Sequence, residues 1–302
     1  MPPTCLYASG ELSQRVEQSR AQLAACTLCP QGCRTNRLAD KTGKCGAGRY
    51  ALVASACAHM GEERVLRGHG GSGTVFFSGC NLHCVFCQNY DISQYRYGGA
   101  MEAEELAALF ISLQQRGCHN LNLVTPSHVV PQLLTALLIA VERDFRLPIV
   151  YNTAAYDALP TLRLLDGIVD IYMPDLKYSD SDTAARYSGI GHYWEVSTKA
   201  LKEMHRQVGP LAIENGLARR GVLIRHLVLP GDLAGTAEVM RFIAHEVSAD
   251  SWVNLMPQYY PAFRANTFPE LRRRTPPQEY SDAVQAARQV GLHRGIPFDA
   301  LD

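Results

Sequence analysis

Short apolar segments alternate with amphipathic helical patterns along most of this 302-residue chain. The first segment, residues 74–77, has the length and composition of a β-strand, and the pattern at 103–116 repeats apolar residues at three- and four-residue steps. Further strands are predicted at 120–124, 149–151, 168–173, 222–229 and 252–255. Further helices are predicted around 133–141, 162–165, 196–204, 239–247 and 280–290. The chain therefore reads as a repeated strand–helix unit.

This repeat predicts a parallel sheet, because a strand–helix–strand unit makes a right-handed crossover and buries its strands on both faces. We count six units, two fewer than the eight of a closed TIM barrel. The expected fold is α/β: an open (β/α)6 partial TIM barrel at residues 61–302, preceded by a small Cys-rich metal-binding segment at 1–60. In such sheets the reactive groups lie at the carboxyl ends of the strands.

Composition narrows the class of function. Lys+Arg and Asp+Glu both number 29, so the formal net charge is zero, and neither a nucleic-acid nor a membrane-surface partner is indicated. The sequence shows no hydrophobic signal region and no apolar run long enough to cross a bilayer. We therefore expect a cytoplasmic protein with one sizeable core.

Seven of the ten cysteines fall into two groups, and in a long chain without a secretion signal such groups indicate metal ligands rather than disulfides. Cys80, Cys84 and Cys87 directly follow the first predicted strand. A [4Fe-4S] cluster normally takes four thiolates, so three can hold it while one iron stays open to a non-protein ligand. The alternative is that these are unrelated thiols packed in the core.

The second group consists of Cys26, Cys29, Cys33 and Cys45, in a segment rich in glycine and proline. Four thiols fit the ligand count of a closed zinc site and of an auxiliary iron–sulfur cluster equally well. Simple packing of the thiols is the third interpretation. The sequence does not distinguish zinc from iron.

The spacing of Cys80, Cys84 and Cys87, with the aromatic Phe86 just before the third cysteine, resembles that of the radical S-adenosylmethionine (radical SAM) superfamily. The resemblance implies that the open iron chelates SAM and that reductive cleavage of SAM gives a 5'-deoxyadenosyl radical. It also implies a one-electron donor such as flavodoxin or ferredoxin.

Polar residues at the other strand ends are candidates for contacts with SAM. Thr125 and Ser127 follow the second strand, and their hydroxyls suit an ammonium or a ribose, or else a helix cap. Asn152 ends the third strand, and Asp175 with Lys177 ends the fourth.

Arg225 interrupts an apolar strand that should be buried on both faces, so its charge needs an anionic partner. The carboxylate of SAM would serve as a bidentate partner. The alternative is an internal salt bridge to Asp175.

Segments 71–80, 87–90, 175–177 and 224–231 look like their counterparts in the pyruvate formate-lyase activating enzymes, in a branch with an extra N-terminal cysteine motif. The resemblance implies a radical SAM oxidoreductase that abstracts hydrogen, with activation of a glycyl radical enzyme as one outcome. It implies that Asp175, Lys177 and Arg225 contact SAM and that the backbone around Phe86 contacts adenine. The chain departs from that family in having Thr-Pro-Ser at 125–127, where the family has Gly-Gly-Glu, and Met-Pro-Gln-Tyr at 256–259, where it has Leu-Pro-Tyr-His.

Two alternatives stay open. One is a radical SAM maturase acting on another peptide or on a small molecule. The other is a non-enzymatic iron–sulfur electron-transfer protein, which would normally saturate its cluster with a fourth ligand. An N-terminal cysteine folded over the three-cysteine loop would supply that ligand.

Overall fold

Six parallel strands lie side by side, in their order along the chain, in a computed structural model that describes residues 3–297. Two further strands extend the sheet in antiparallel fashion at one edge, and a short third one pairs antiparallel with the fifth parallel strand. The strands are Ala51–His59 (β1), Ser72–Phe77 (β2), Gly99–Met101 (β3), Leu121–Val124 (β4), Ile149–Thr153 (β5), Ile171–Pro174 (β6), Ala212–Glu214 (β7), Leu217–Leu227 (β8) and Trp252–Met256 (β9). The parallel set is β2, β4, β5, β6, β8 and β9.

Helices connect the successive parallel strands from β2 to β9, and further helices lie outside these connections. They are Pro3–Ala8 (α1), Glu11–Ala21 (α2), Arg64–Arg67 (α3), Tyr90–Ser93 (α4), Ala103–Gln115 (α5), Val130–Glu142 (α6), Leu159–Leu164 (α7), Ser181–Ser188 (α8), Tyr193–Val208 (α9), Thr236–Phe242 (α10) and Pro277–Gln289 (α11). A π-helical turn, Ile243–Val247, continues α10. None of the helices described has the length and apolar character that crossing a membrane requires.

The predicted partial barrel is confirmed: each predicted strand and helix is present, with ends that differ by a few residues. No ladder joins β9 to β2 among the described residues, so the sheet stays open. The parallel register, for example Thr74 opposite Asn122, brings the carboxyl ends of the six strands to one edge. Reactive groups are expected at that edge of a parallel sheet.

The local sequence explains the main helices. At α5 a capping box forms, in which Glu102 accepts from the backbone at Glu105 while the Glu105 side chain accepts from the backbone N–H of Glu102 at 2.9 Å. Helix α6 has Pro131 in its first turn, where no intrahelical N–H bond is lost. Both helices bury their apolar face in the main core.

The N-terminal region contains regular structure that the sequence pattern did not reveal. Strand β1 pairs antiparallel with β2, with Cys57 opposite Thr74, so the sheet begins before residue 61. Helix α2 packs on α6 through Leu12 and Val16, which both belong to the main core. The domain boundary at residue 60 stays a prediction.

The packing of α2 makes Leu12 a sensitive position. Leu12 is completely buried, so Leu12→Ala should lower the free energy of unfolding by about 2 to 5 kcal/mol through lost contacts and a cavity. Urea denaturation of the full chain measures this loss. Gln18→Ala, at an exposed position of the same helix, should change it by less than about 0.5 kcal/mol. Equal effects would mean that α2 does not support the core.

Candidate active site

A cavity of about 290 Å³ opens at the carboxyl ends of the parallel strands. Every one of the six strands contributes to its lining, at or near its carboxyl end. These residues are Phe77, Thr125, Asn152, Asp175, Arg225 and Met256. The location agrees with the expectation for a sheet of parallel strands.

All three cysteines of the loop after β2 line this cavity. The loop is held by backbone hydrogen bonds on two sides. The N–H of Cys80 donates to the carbonyl of Cys45 at 3.2 Å, and that of Val85 donates to the carbonyl of Tyr187, in α8, at 2.8 Å. The position of the thiols is therefore set by the fold before anything is bound.

The three thiols suit a soft metal. Burial, followed by the neighbouring Cys84, raises the pKa of Cys80, and burial also raises the pKa of Cys84. A buried thiol keeps its proton unless a cation replaces it. The hydroxyl of Ser188 donates to Cys84 Sγ at 3.0 Å, which favours the thiolate. Three such sulfurs around one cavity are the donor set of an iron–sulfur cluster.

No fourth thiol and no imidazole lines the cavity in the part of the chain that the structure describes. The N-terminal cysteines do not reach it with their side chains, and Cys45 contributes only its carbonyl to the loop. Across residues 3–297, no three Cys, His, Asp or Glu side chains are arranged as ligands of one metal ion. In a cluster the thiolates are spread over different irons. The set therefore fits a cluster with one iron free of protein ligands.

A charged network forms another part of the cavity lining. Arg225 Nε donates to Asp175 Oδ1 at 2.7 Å, and Lys177 Nζ donates to Asp175 Oδ2 at 2.9 Å. Burial opposes ionisation, but the two cations lower the pKa of Asp175 to about 2. Of the two partners considered for Arg225, the internal salt bridge to Asp175 is present.

The rest of the Arg225 guanidinium is also engaged by protein. Nη2 donates to Asn152 Oδ1 at 2.9 Å, and Nη1 lies 3.5 Å from Glu62 Oε1 and 3.9 Å from Glu63 Oε1. The two glutamates follow β1 and therefore approach from the opposite end of the barrel. Burial and the adjacent Glu63 raise the pKa of Glu62 to about 8, so this pair holds one proton at neutral pH.

Sequence reasoning missed both glutamates. The available signal was that Arg225 required anions. No strand was predicted before Glu62 and Glu63, so nothing in the pattern indicated that they enter the barrel. They contact strand residues as well: Asn122 Nδ2 donates to Glu62 Oε2 at 2.6 Å, and Asn254 Nδ2 donates to Glu63 Oε1 at 2.9 Å.

Thr125 and Ser127 lie in different surroundings. Thr125 lines the cavity, whereas Ser127 is buried beneath it, with its hydroxyl 3.1 Å from Thr153 Oγ1. The helix-cap alternative is wrong, because Val129 occupies the N-cap position of α6 and no side chain caps it. The Thr153 hydroxyl donates in turn to the buried Asp157 at 2.5 Å, and this network draws Ser127 inward.

Phe86 lines the cavity next to the third cysteine. Its ring is held edge-to-face by Tyr178 and Tyr259, at centroid distances of 6.3 and 5.9 Å. This packing fixes the loop backbone at the place where the resemblance implies contact with adenine.

The four N-terminal cysteines come together beside the cavity and not inside it. Cys26 and Cys33 pack in one apolar cluster with Leu23 and Leu28. Burial, together with the neighbouring Cys45 and Cys26, raises the pKa of Cys29. All ten cysteines of the chain are free thiols. The structure thus separates the two groups that the sequence distinguished.

Comparison with known proteins identifies the family. The family model described as "Radical SAM superfamily" matches residues 74–243. The chain belongs to the radical SAM superfamily. An uncharacterized protein of Methanocaldococcus jannaschii is 31% identical over 289 residues, covering 93% of this chain and 79% of the relative. The cofactors of the superfamily are a [4Fe-4S] cluster and SAM, which agrees with the three-thiol cavity.

Two solved structures align with the chain. A radical SAM methyltransferase from Sphaerobacter thermophilus aligns with a TM-score of 0.50 at 17% identity, over 74% of this chain and 65% of its own. Streptococcus suis SuiB, bound to its precursor peptide SuiA, aligns with a TM-score of 0.48 at 13% identity, over 70% of this chain and 43% of its own. The chain thus spans less than two thirds of either solved chain.

The raised pKa of Glu62 predicts a pH-dependent stability. The folded chain keeps a proton that the unfolded chain releases above its ordinary pKa of 4.5. This contribution is complete below about pH 4.5 and is lost as the pH rises through about 8, at up to about 1.4 kcal/mol per pH unit. Glu62→Gln should flatten this decline, measured by anaerobic urea denaturation between pH 6 and pH 8.5.

Glu104→Gln serves as the control for that experiment, because Glu104 is exposed on α5. It should keep the slope of the unsubstituted protein. A Glu62→Gln slope that matches the control would show that the pair does not share a proton.

Proposed function

We propose that Cys80, Cys84 and Cys87 hold a [4Fe-4S] cluster at which SAM is reductively cleaved, giving a 5'-deoxyadenosyl radical that abstracts hydrogen from a substrate. The observation that carries this proposal is the cavity at the strand ends, lined by three thiols and by no fourth thiol or imidazole in residues 3–297. When bound, the cluster supplies the electron for cleavage. The chain binds, orients and excludes water and oxygen.

The candidate SAM-binding residues form two groups: those that face the cavity directly and those that support its wall. Lys177 and Thr125 present an ammonium and a hydroxyl to the cavity, and the backbone around Phe86 borders it. We assign direct contact with SAM to these three.

The remaining candidates support that surface. Asp175 and Asn152 line the cavity but are bonded to Arg225, and Ser127 is buried below. We assign them the task of holding the wall in place. Because Arg225 already has protein partners, a carboxylate of SAM gains less from it than the sequence suggested.

Within the superfamily, we propose the pyruvate formate-lyase activating enzyme-like branch, an oxidoreductase subtype. Its support is the four matching segments and the N-terminal cysteine group. A protein or peptide substrate and a one-electron donor such as flavodoxin or ferredoxin follow from that branch. Activation of a glycyl radical enzyme is the narrower form of the proposal. The electron-transfer alternative is disfavoured by the cavity, because no fourth protein ligand lines it in the described residues.

The proposal predicts that the protein converts SAM to 5'-deoxyadenosine. After anaerobic reconstitution, dithionite and SAM should give methionine and 5'-deoxyadenosine, separated by chromatography. Cys84→Ala should abolish both products because it removes a ligand of the cluster. Cys118→Ala removes a buried thiol that does not line the cavity and should leave the products unchanged. Equal activity of Cys84→Ala and the unsubstituted protein, or a formed cluster without deoxyadenosine, would contradict the proposal.

Lys177 should contribute to the affinity of the protein for SAM. Lys177→Met removes an ammonium from the cavity, and the loss of one charged hydrogen bond should raise the KM for SAM about 10- to 100-fold. Lys202→Met is the matched control, because Lys202 pairs with Glu246 on the surface. A KM for Lys177→Met that equals the control would remove Lys177 from the SAM site.

A further inference from the structure

Arg37 carries a buried positive charge without a carboxylate partner. Its side chain is completely buried. Nε donates to the carbonyl of Gly48 at 2.8 Å, Nη1 donates to the carbonyl of His128 at 2.7 Å, and Nη2 has no hydrogen-bond partner. Within residues 3–297 no Asp or Glu forms a salt bridge with it. A buried guanidinium of this kind requires an anion.

The groups next to Arg37 are the N-terminal thiols. Nη1 lies 3.8 Å from Cys26 Sγ. Cys33 and Cys45 converge on Gly43, where an added Cβ would lie 3.3 and 3.6 Å from their sulfurs. Neutral thiols would leave the charge of Arg37 uncompensated.

The backbone forms a tight support for these thiols. The N–H of Cys26 donates to the carbonyl of Thr35, and the N–H of Arg34 donates to the carbonyl of Cys26, both at 3.0 Å. Gly46 has a φ of 81°, which places the chain in the left-handed region after Cys45. The loop is therefore shaped around the sulfurs and does not depend on their packing alone.

The same segment contacts the active-site loop. The carbonyl of Cys45 accepts from the N–H of Cys80, and Gln31 Nε2 donates to the carbonyl of Asn81 at 3.0 Å. Gly79 permits this approach: its φ is 86°, and a Cβ there would lie 2.4 Å from the Cys45 carbonyl oxygen. The two cysteine groups are thus joined through one hydrogen bond.

We propose that Cys26, Cys29, Cys33 and Cys45 bind a second iron–sulfur cluster as thiolates, and that Arg37 balances its negative charge. Binding releases the four thiol protons to solvent. As placed, the four sulfurs are not arranged around a single ion, and neither are those of the active-site loop. Four cysteine thiolates are the usual protein ligands of a [4Fe-4S] cluster. The inference does not require the proposed reaction.

Metal analysis of a variant that lacks the first site tests this inference. The Cys80→Ala, Cys84→Ala, Cys87→Ala variant is reconstituted anaerobically with iron, sulfide and an equal amount of zinc. We expect about four irons per chain and a paramagnetic signal after reduction. Adding Cys29→Ala and Cys33→Ala should remove the iron, whereas adding Cys118→Ala should retain it, with circular dichroism reporting the fold of each. One zinc per chain, no metal, or iron insensitive to Cys29 and Cys33 would overturn the proposal.

Arg37 provides a second test that keeps all four thiols. In the same background, Arg37→Met should weaken iron retention against a chelator about 10- to 100-fold, and Arg37→Lys should restore part of it. Arg34→Gln, which changes an exposed arginine of the same loop, should have no effect. Unchanged retention in Arg37→Met would overturn the charge-balance argument. Because the first site is absent, these outcomes are independent of SAM cleavage.

Discussion

The guanidinium of Arg225 organises the site, because it connects groups from both ends of the barrel. It lies within β8 and binds Asp175 and Asn152 at the carboxyl ends of β6 and β5. On the other side it meets Glu62 and Glu63, which follow β1. Removing one partner would leave a buried charge uncompensated. The charged part of the cavity lining is therefore held by protein contacts before SAM binds, which is what orientation of a reactive cofactor requires.

Protein contacts also position the three thiols that line the cavity. Their loop is fastened to α8 on one side and to the N-terminal segment on the other, through the carbonyl of Cys45. The N-terminal thiols remain outside the cavity, so the fold keeps the two cysteine groups separate while joining their backbones. An open iron at the first group and a charge-balanced second group are both consistent with this arrangement.

Much of the fold was predictable because parallel strands buried on both faces appear as continuous apolar runs. Arg225 was found because a charge inside such a run is conspicuous, and Asp175 was found because it ends a predicted strand. Strand β1 was missed, since it is only partly buried and rich in alanine. Glu62 was missed because its partner Arg225 lies 163 positions away, and only tertiary structure shows that a carboxylate in a turn is buried. Ser127 was misplaced because Thr153 and Asp157 draw it inward.

The central claim is that three thiols leave one iron accessible to SAM. Electron–nuclear double resonance on the reduced protein, with SAM labelled by ¹⁵N at its amino group and ¹⁷O at its carboxylate, tests it directly. The account predicts hyperfine coupling of both labels to the cluster held by Cys80, Cys84 and Cys87. Absence of coupling with SAM bound, or spectra that show a fourth protein ligand on the open iron, would contradict it.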